Sequence, residues 1–391
     1  MSIQMTLQQR TLSNGVRILI QPLSNRPAAV GIWLHGGTRH EAAQQQGYTH
    51  LLEHLLFCGA GGLDETALLD RLQVLGGQVN AVTTAEFMAL YGLVPGAAAP
   101  ELLRLLCTML MQPHWDEAQV RREAELVCHE ASMPSPLSEG RRLLWSDHPL
   151  ARHASVDHLI QLGCADLDAL QAYREALLQG RRLMVVAAGD IDPDLIMRSC
   201  QMLEDLPAGS AWPSQPPVPA GQAQSRLTDR PEHLLWIMPA CAANAADRPI
   251  WELIQQWLGA DFTSLIPRRL RQSGLAYEVQ SGLELYTNAG LFHLQVASCA
   301  GRGEDCLAQV DDCLRTCIVR GPSAAQLQTT RQAWLMRWQL AQHDPLAMIE
   351  QLAAQTMAPL NYPLPEAVMQ IDADQLVHVL EAAWRRCILW A

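Results

Sequence analysis

A chain of 391 residues is longer than one hydrophobic core usually organises, so at least two domains of roughly 100 to 250 residues each are expected. With 49% hydrophobic and 17% charged residues it should fold compactly, which excludes disorder as its working state. A formal net charge of -12 argues against a protein whose main task is neutralising phosphates, so nucleic acid is not an expected partner and neutral or basic peptides are favoured.

The opening "MSIQMTLQQRTLSNG" lacks the basic start and long apolar run of a secretory signal. No uninterrupted apolar run reaches the ~18 to 20 residues of a membrane span, so a cytoplasmic address without a membrane partner is the expectation. "QRTLSNGVRILIQPL" reads as two short extended segments around a Ser-Asn-Gly turn, and "AAVGIWLHGG" as a further strand by its apolar run. Next, "GYTHLLEHLLFCG" sets His50, Glu53 and His54 inside an otherwise apolar helical stretch. His50 and His54 lie one turn apart on one face, with Glu53 beside them.

"QVNAVTTAEFMALYG" reads as a strand, in which Asn80 alone is a turn or edge residue. "WDEAQVRREAELVCHEASM" is a second helix whose Glu123 and Glu130, seven residues apart, share nearly one face. Taken alone that pair suits a solvated face, and His129 points ~100° away from its neighbour. "DLDALQAYREALLQGRRLMVVAAGD" is a helix feeding a strand, and "WPSQPPVPAGQAQ", without amphipathic period, reads as a linker. The division is therefore a first domain over 1–211, a linker over 212–224 and a second domain over 225–391.

In the second half, Cys306, Cys313 and Cys317 recur at helical spacing on one face and read as core. Eleven cysteines without a C-x-x-C pair fit reduced, mostly buried thiols better than a disulfide framework. The closing "DADQLVHVLEAAWRRCILWA" repeats the sense of the earlier helix and strand: Asp166, Asp168 and Leu170 answer Asp372, Asp374 and Leu376, and paired arginines precede each apolar strand. The echo points to two similar α+β domains, each with helices packed on a mixed or antiparallel sheet.

Burying His50, Glu53 and His54 unpaired costs several kcal/mol. A zinc ion accepting both imidazoles removes that cost, with Glu53 placed to take a proton from water. Catalytic zinc keeps three protein ligands, and Glu130 is the candidate third; Glu123 would then orient a ligand by hydrogen bonding.

The pieces "LSNGVRILI", "HLLEH", "LGGQVNAVTTAEF", Glu130, "HPLARH", "RRLMVVAAGDID", "WLGADFTSLIPRRLRQSGLAYEV" and "GLFHLQV" follow one another through most of the chain. In that order they resemble the pitrilysin-type inverzincin zinc metallopeptidases, with their inverted His-x-x-Glu-His motif. They look most like the short-chain branch of mitochondrial processing peptidase and bacterial relatives, including peptidase-like proteins of coenzyme pyrroloquinoline-quinone biosynthesis. The resemblance implies one Zn2+ per chain held by His50, His54 and Glu130, with Glu53 as general base. It also implies that the stretch containing Asn80 and Ala81 is an edge strand to which a substrate peptide adds.

The family's second domain contributes an arginine and a tyrosine to the substrate carbonyl, which match Arg271 and Tyr277. The segment between them is one residue shorter than usual, so Arg269 is the alternative. Read without the resemblance, Tyr277 is a strand aromatic and Arg271 a solvated helix residue. Cys58 stands where relatives often carry a basic residue, one turn after His54; its thiol either approaches the metal or packs. Short relatives pair the first domain of one chain with the second domain of another, which implies a dimer in which Tyr277 serves the partner's site. The expected activity is thus a zinc metalloendopeptidase acting on unfolded or precursor peptides in a dimeric chamber. The alternatives are a catalytic subunit paired with a metal-free partner, and a mainly structural or peptide-binding subunit.

Overall fold

The computed structural model of the protein describes residues 7–132, 136–146, 148–151, 167–212, 225–226, 232–357 and 365–390. They form two compact units, the first from 7–132, 167–212 and 341–357, the second from 136–146, 148–151, 225–226, 232–340 and 365–390.

The first unit is built on strands β1 (Gln8–Thr11), β2 (Arg17–Pro22), β3 (Ala28–His35), β6 (Gln78–Thr83), β7 (Phe87–Val94) and β8 (Leu183–Gly189). Between them β4 (Gly59–Ala60) and β5 (Leu63–Asp64) pair with each other, and Ala60 also bridges to Pro113. The six strands order as β1-β2-β8-β3-β7-β6, antiparallel except for β2 beside β8. β3 is central and buried on both faces, which is why it reads as one continuous apolar run. Its side chains alternate: Val30, Ile32 and Leu34 enter the main core, while Ala29 and Trp33 face the other side.

The main core is closed by helices α1 (Tyr48–Leu55), α2 (Glu65–Val74), α3 (Ala99–Met111) and α4 (Glu117–Ser132). The opposite sheet face is covered by Ile349, Leu352 and Ala353 of the helix Pro345–Met357. The segment "QVNAVTTAEFMALYG" is a hairpin and not the single strand expected. The cause is Thr84, whose hydroxyl accepts the N–H groups of Glu86 and Phe87 and turns the chain back.

The second unit has strands β9 (Ser225–Arg226), β10 (His233–Ala240), β11 (Ala276–Leu285), β12 (Gly290–Ser298) and β13 (Ile388–Trp390), ordered β11-β12-β10-β13-β9. Only β13 and β9 run parallel. Neighbours and directions repeat those of β6-β7-β3-β8-β2, so the two sheets share one topology and the α+β pair of similar domains stands. Helix α5 (Pro136–Trp145) packs on β10 of this unit, where Arg141 pairs with Glu284 and Trp145 meets the Tyr286 ring edge-on. Each unit thus includes a helix from the other half of the chain, Pro136–Trp145 in the second and Pro345–Met357 in the first. From residue 213 the linker expected over 212–224 lies outside the described residues, as does Asp166 of the internal echo. The echo's other members fall where it predicts, on the helices Leu167–Leu177 and Ala373–Trp384 that feed β8 and β13, with Asp372 capping the latter.

Cys306, Cys313 and Cys317 are buried in the second core, and the ten described cysteines are unpaired. Among the described residues no helix is long and apolar enough to cross a membrane.

One packing feature has a pH signature. The His40 ring lies 5.0 Å from Trp212 and 5.1 Å from His35, and the Arg182 guanidinium stacks 4.0 Å over Trp212. Burial, reinforced by His35 and Arg39, pushes His40 down to about 3. The unfolded chain therefore binds a proton that the folded one refuses, so this contribution is complete above the ordinary value of 6.5 and is lost as pH falls toward 3. Urea midpoints at pH 7 and pH 5 should differ by less in His40→Gln than in the parent chain, the parent losing up to about 1.4 kcal/mol per pH unit through this group. Equal differences would remove His40 from the account.

Candidate active site

α1 is seated before it is functional. Leu51, Leu52 and Leu55 insert into the core, each contributing about 1.5–3 kcal/mol of burial, and this fixes which face looks outward. His50, Glu53 and His54 occupy that outer face and are half-buried, not enclosed in the core. The helix starts at Gly47, whose φ of 91° is a left-handed conformation that favours glycine. The buried Glu41 carboxylate accepts the N–H groups of Gly47 and Thr49, both at 2.8 Å, and the Thr49 hydroxyl meets the Tyr173 hydroxyl at 2.8 Å.

α4 packs along α1, burying Val120, Ala124 and Val127. That registration brings Glu123 and Glu130 against the two histidines. A Glu130 carboxylate oxygen lies 3.5 Å from His50 Nε2 and 3.9 Å from His54 Nε2. One ligand atom from each of His50, His54 and Glu130 lies within 4.8 Å of the other two. Tetrahedral zinc with bonds of ~2.0–2.1 Å sets its ligand atoms roughly 3.4 Å apart, and two imidazoles with one carboxylate are a donor set zinc accepts, so these residues fit that ion.

Glu123, with its side chain 11% exposed, takes His54 Nδ1 at 3.1 Å. Since a carboxylate only accepts, Nδ1 is the donor, which leaves Nε2, on the side of Glu130, as the nitrogen that would take a metal. Burial holds the His50 imidazole below its ordinary range, while Glu53 and Glu130 act the other way. Neutral imidazole is the form that binds a metal.

Cys58 packs. Its buried thiol is pushed up to about 12 by burial, then by Glu123 and Glu65, and it belongs with Arg122, whose Nη2 lies 3.6 Å from the sulfur. It is not in the His50, His54 and Glu130 group. His129 is exposed beside them.

β6 is the outer strand of its sheet and lies against α1. Asn80 is exposed on it, and its side-chain oxygen accepts the N–H of Ala81 at 2.9 Å, so that amide is turned away from the β7 ladder. In the second unit Tyr277 stands 69% exposed at the start of β11, the counterpart of β6. Arg271 is exposed on the helix Leu265–Gln272, whereas Arg269 is half-buried, 3.9 Å from Asp312. The helix following β10, Arg248–Leu258, occupies the place of α1 but carries no histidine.

Three contributors escaped the sequence reading. Glu41 caps α1 across a loop, and no local pattern marks it. Arg122 bridges Glu123 and Glu65 at 2.9 and 2.7 Å. Its signal was its place beside Glu123. Arg39 pairs with Glu86 across the β6–β7 turn.

Residues 17–136 match the family model described as insulinase (peptidase family M16), and residues 165–333 match that of the peptidase M16 inactive domain. An uncharacterized zinc protease of Streptomyces coelicolor is 28% identical over 333 residues, covering 80% of this chain and 70% of that protein. A probable mitochondrial-processing peptidase subunit beta of Arabidopsis thaliana is 26% identical over 205 residues, covering 49% of this chain and 38% of its own. The crystal structure of a protease from Helicobacter pylori superposes with a TM-score of 0.89 over 98% of both chains at 16% identity, a likeness of fold.

Proposed function

The chain belongs to the M16 peptidase family, and from that premise we propose that it is a zinc-dependent endopeptidase cleaving unfolded or precursor peptides. The single observation that carries the reading is the convergence of His50, His54 and Glu130, brought together by two helices distant in sequence. When bound there, zinc supplies Lewis acidity, polarising a carbonyl and acidifying water.

The chain's own residues do the rest. Glu53, one turn from His50, accepts a proton from the attacking water and returns it to the departing amine. Glu123 holds the His54 tautomer. A substrate strand adds along β6, its carbonyl competing with the Asn80 side chain for the Ala81 N–H. Such binding reads backbone more than side chain, which suits a range of extended peptides. Tyr277, with Arg271 or Arg269, donates hydrogen bonds to the carbonyl oxygen as charge builds on it.

The second unit, without histidines at the place of α1, is then a completing domain, and we assign it to the site of a partner chain, so that a dimer encloses the peptide. A related partner subunit in place of a second copy is favoured by the relative named as a subunit beta. The ten described cysteines, none of them in a disulfide, support a reducing compartment such as the cytoplasm.

Purified protein should contain about one zinc ion per chain. Chelation should remove that zinc together with cleavage of a diverse peptide library, and added zinc should restore both. Cleavage that persists in zinc-free protein would end this reading.

A further inference from the structure

The segment Gly36 to Glu41 leaves β3 and reaches both parts of the site. Its Gly36, Thr38 and Arg39 N–H groups donate to the carbonyls of Glu86, Thr84 and Ala85 at 2.9, 3.1 and 2.9 Å, so it runs as a short ladder along the β6–β7 turn. The approach is close enough to require glycine at 37, where a Cβ would stand 2.2 Å from the Thr84 carbonyl oxygen. Arg39 reinforces the ladder by donating to the Glu86 carboxylate, the two side chains being 6% and 15% exposed. Two residues on, Glu41 is 4% exposed, and its two oxygens accept separate N–H groups at the start of α1.

These are amide donors that a helix cannot satisfy internally, and a carboxylate there also suits the helix dipole. His50 follows Thr49 directly. With one oxygen on each donor, the carboxylate favours the observed start of α1 over its neighbours. A start displaced by one residue would rotate His50 by ~100° about the axis.

We propose that Arg39 and Glu41 are positioning residues for peptide hydrolysis: Glu41 fixes the rotation and height of the metal-binding helix, and Arg39 fixes the turn that carries the substrate-binding edge strand. One segment of six residues thereby sets the metal against the strand. The inference rests on the peptidase reading.

The two residues should separate in their effects. In Glu41→Gln one backbone N–H faces an amide NH2, so zinc affinity by chelator competition should fall about 10-fold, with KM of the zinc-saturated enzyme within about 2-fold of the parent. In Arg39→Met zinc affinity should hold within about 2-fold while KM rises about 10-fold. If Arg39→Met shows no cooperative melting, Arg39→Met combined with Glu86→Leu removes both charges of the pair and carries the same KM expectation. Equal losses in both readouts for both variants, or no change in either, would overturn the proposal in favour of a general stabilising role. A parent chain that neither takes up zinc nor cleaves peptide would remove the peptidase reading itself and this inference with it.

Discussion

Glu53→Gln is expected to keep zinc at the parent level while peptide turnover falls by ~10²- to 10⁴-fold, the range spanned by loss of a general base. Glutamine preserves volume, helix propensity and hydrogen-bonding reach, but at neutral pH it cannot take a proton. Glu53 is half-buried on the outer face of α1 and contributes no atom to the His50, His54 and Glu130 group, so its charge can be removed without touching a ligand. Zinc by elemental analysis and turnover of a reporter peptide decide the matter. Parent-like turnover would refute the general-base assignment, and loss of zinc would show that Glu53 holds the ion.

Tyr277→Phe should lower turnover by ~10²- to 10³-fold, the usual cost of one donor to a developing oxyanion. Its ring is 69% exposed on the second unit, so deletion of the hydroxyl leaves no cavity and the fold should be unaffected. The informative step is mixing Tyr277→Phe chains with Glu53→Gln chains. If Tyr277 serves a partner's metal, half of the randomly exchanged dimers are mixed, each with one intact site, and activity should recover to roughly a quarter of the parent. No recovery above either variant alone would place Tyr277 outside a shared site.

What could be read from residue order was what local periodicity controls. His50 and His54 share a helix face by spacing alone, and Glu123 with Glu130 by the same rule; the α+β duplication showed in the paired helix-to-strand segments ending at β8 and β13. Contacts across loops were not legible. Glu41 reaches α1 from six residues upstream of Gly47, and nothing in its neighbourhood distinguishes it from a surface glutamate. The turn at Thr84 was hidden because its hydroxyl does what a glycine or proline would have advertised. Helix Pro345–Met357 announces by its apolar residues that it must be covered, but an amphipathic pattern carries no address, so its place on the first unit's sheet comes only from tertiary structure.

That address has a consequence for biosynthesis. When β8 leaves the ribosome the first sheet is complete in its strands, yet Leu19, Ala29, Trp33, Met184 and Val186 still await the residues that cover them. Those emerge roughly 170 residues later, on the order of ten to thirty seconds at ordinary translation rates. Throughout that interval the nascent chain presents an open apolar face, and a chaperone able to shield it should govern how much of the enzyme is made intact.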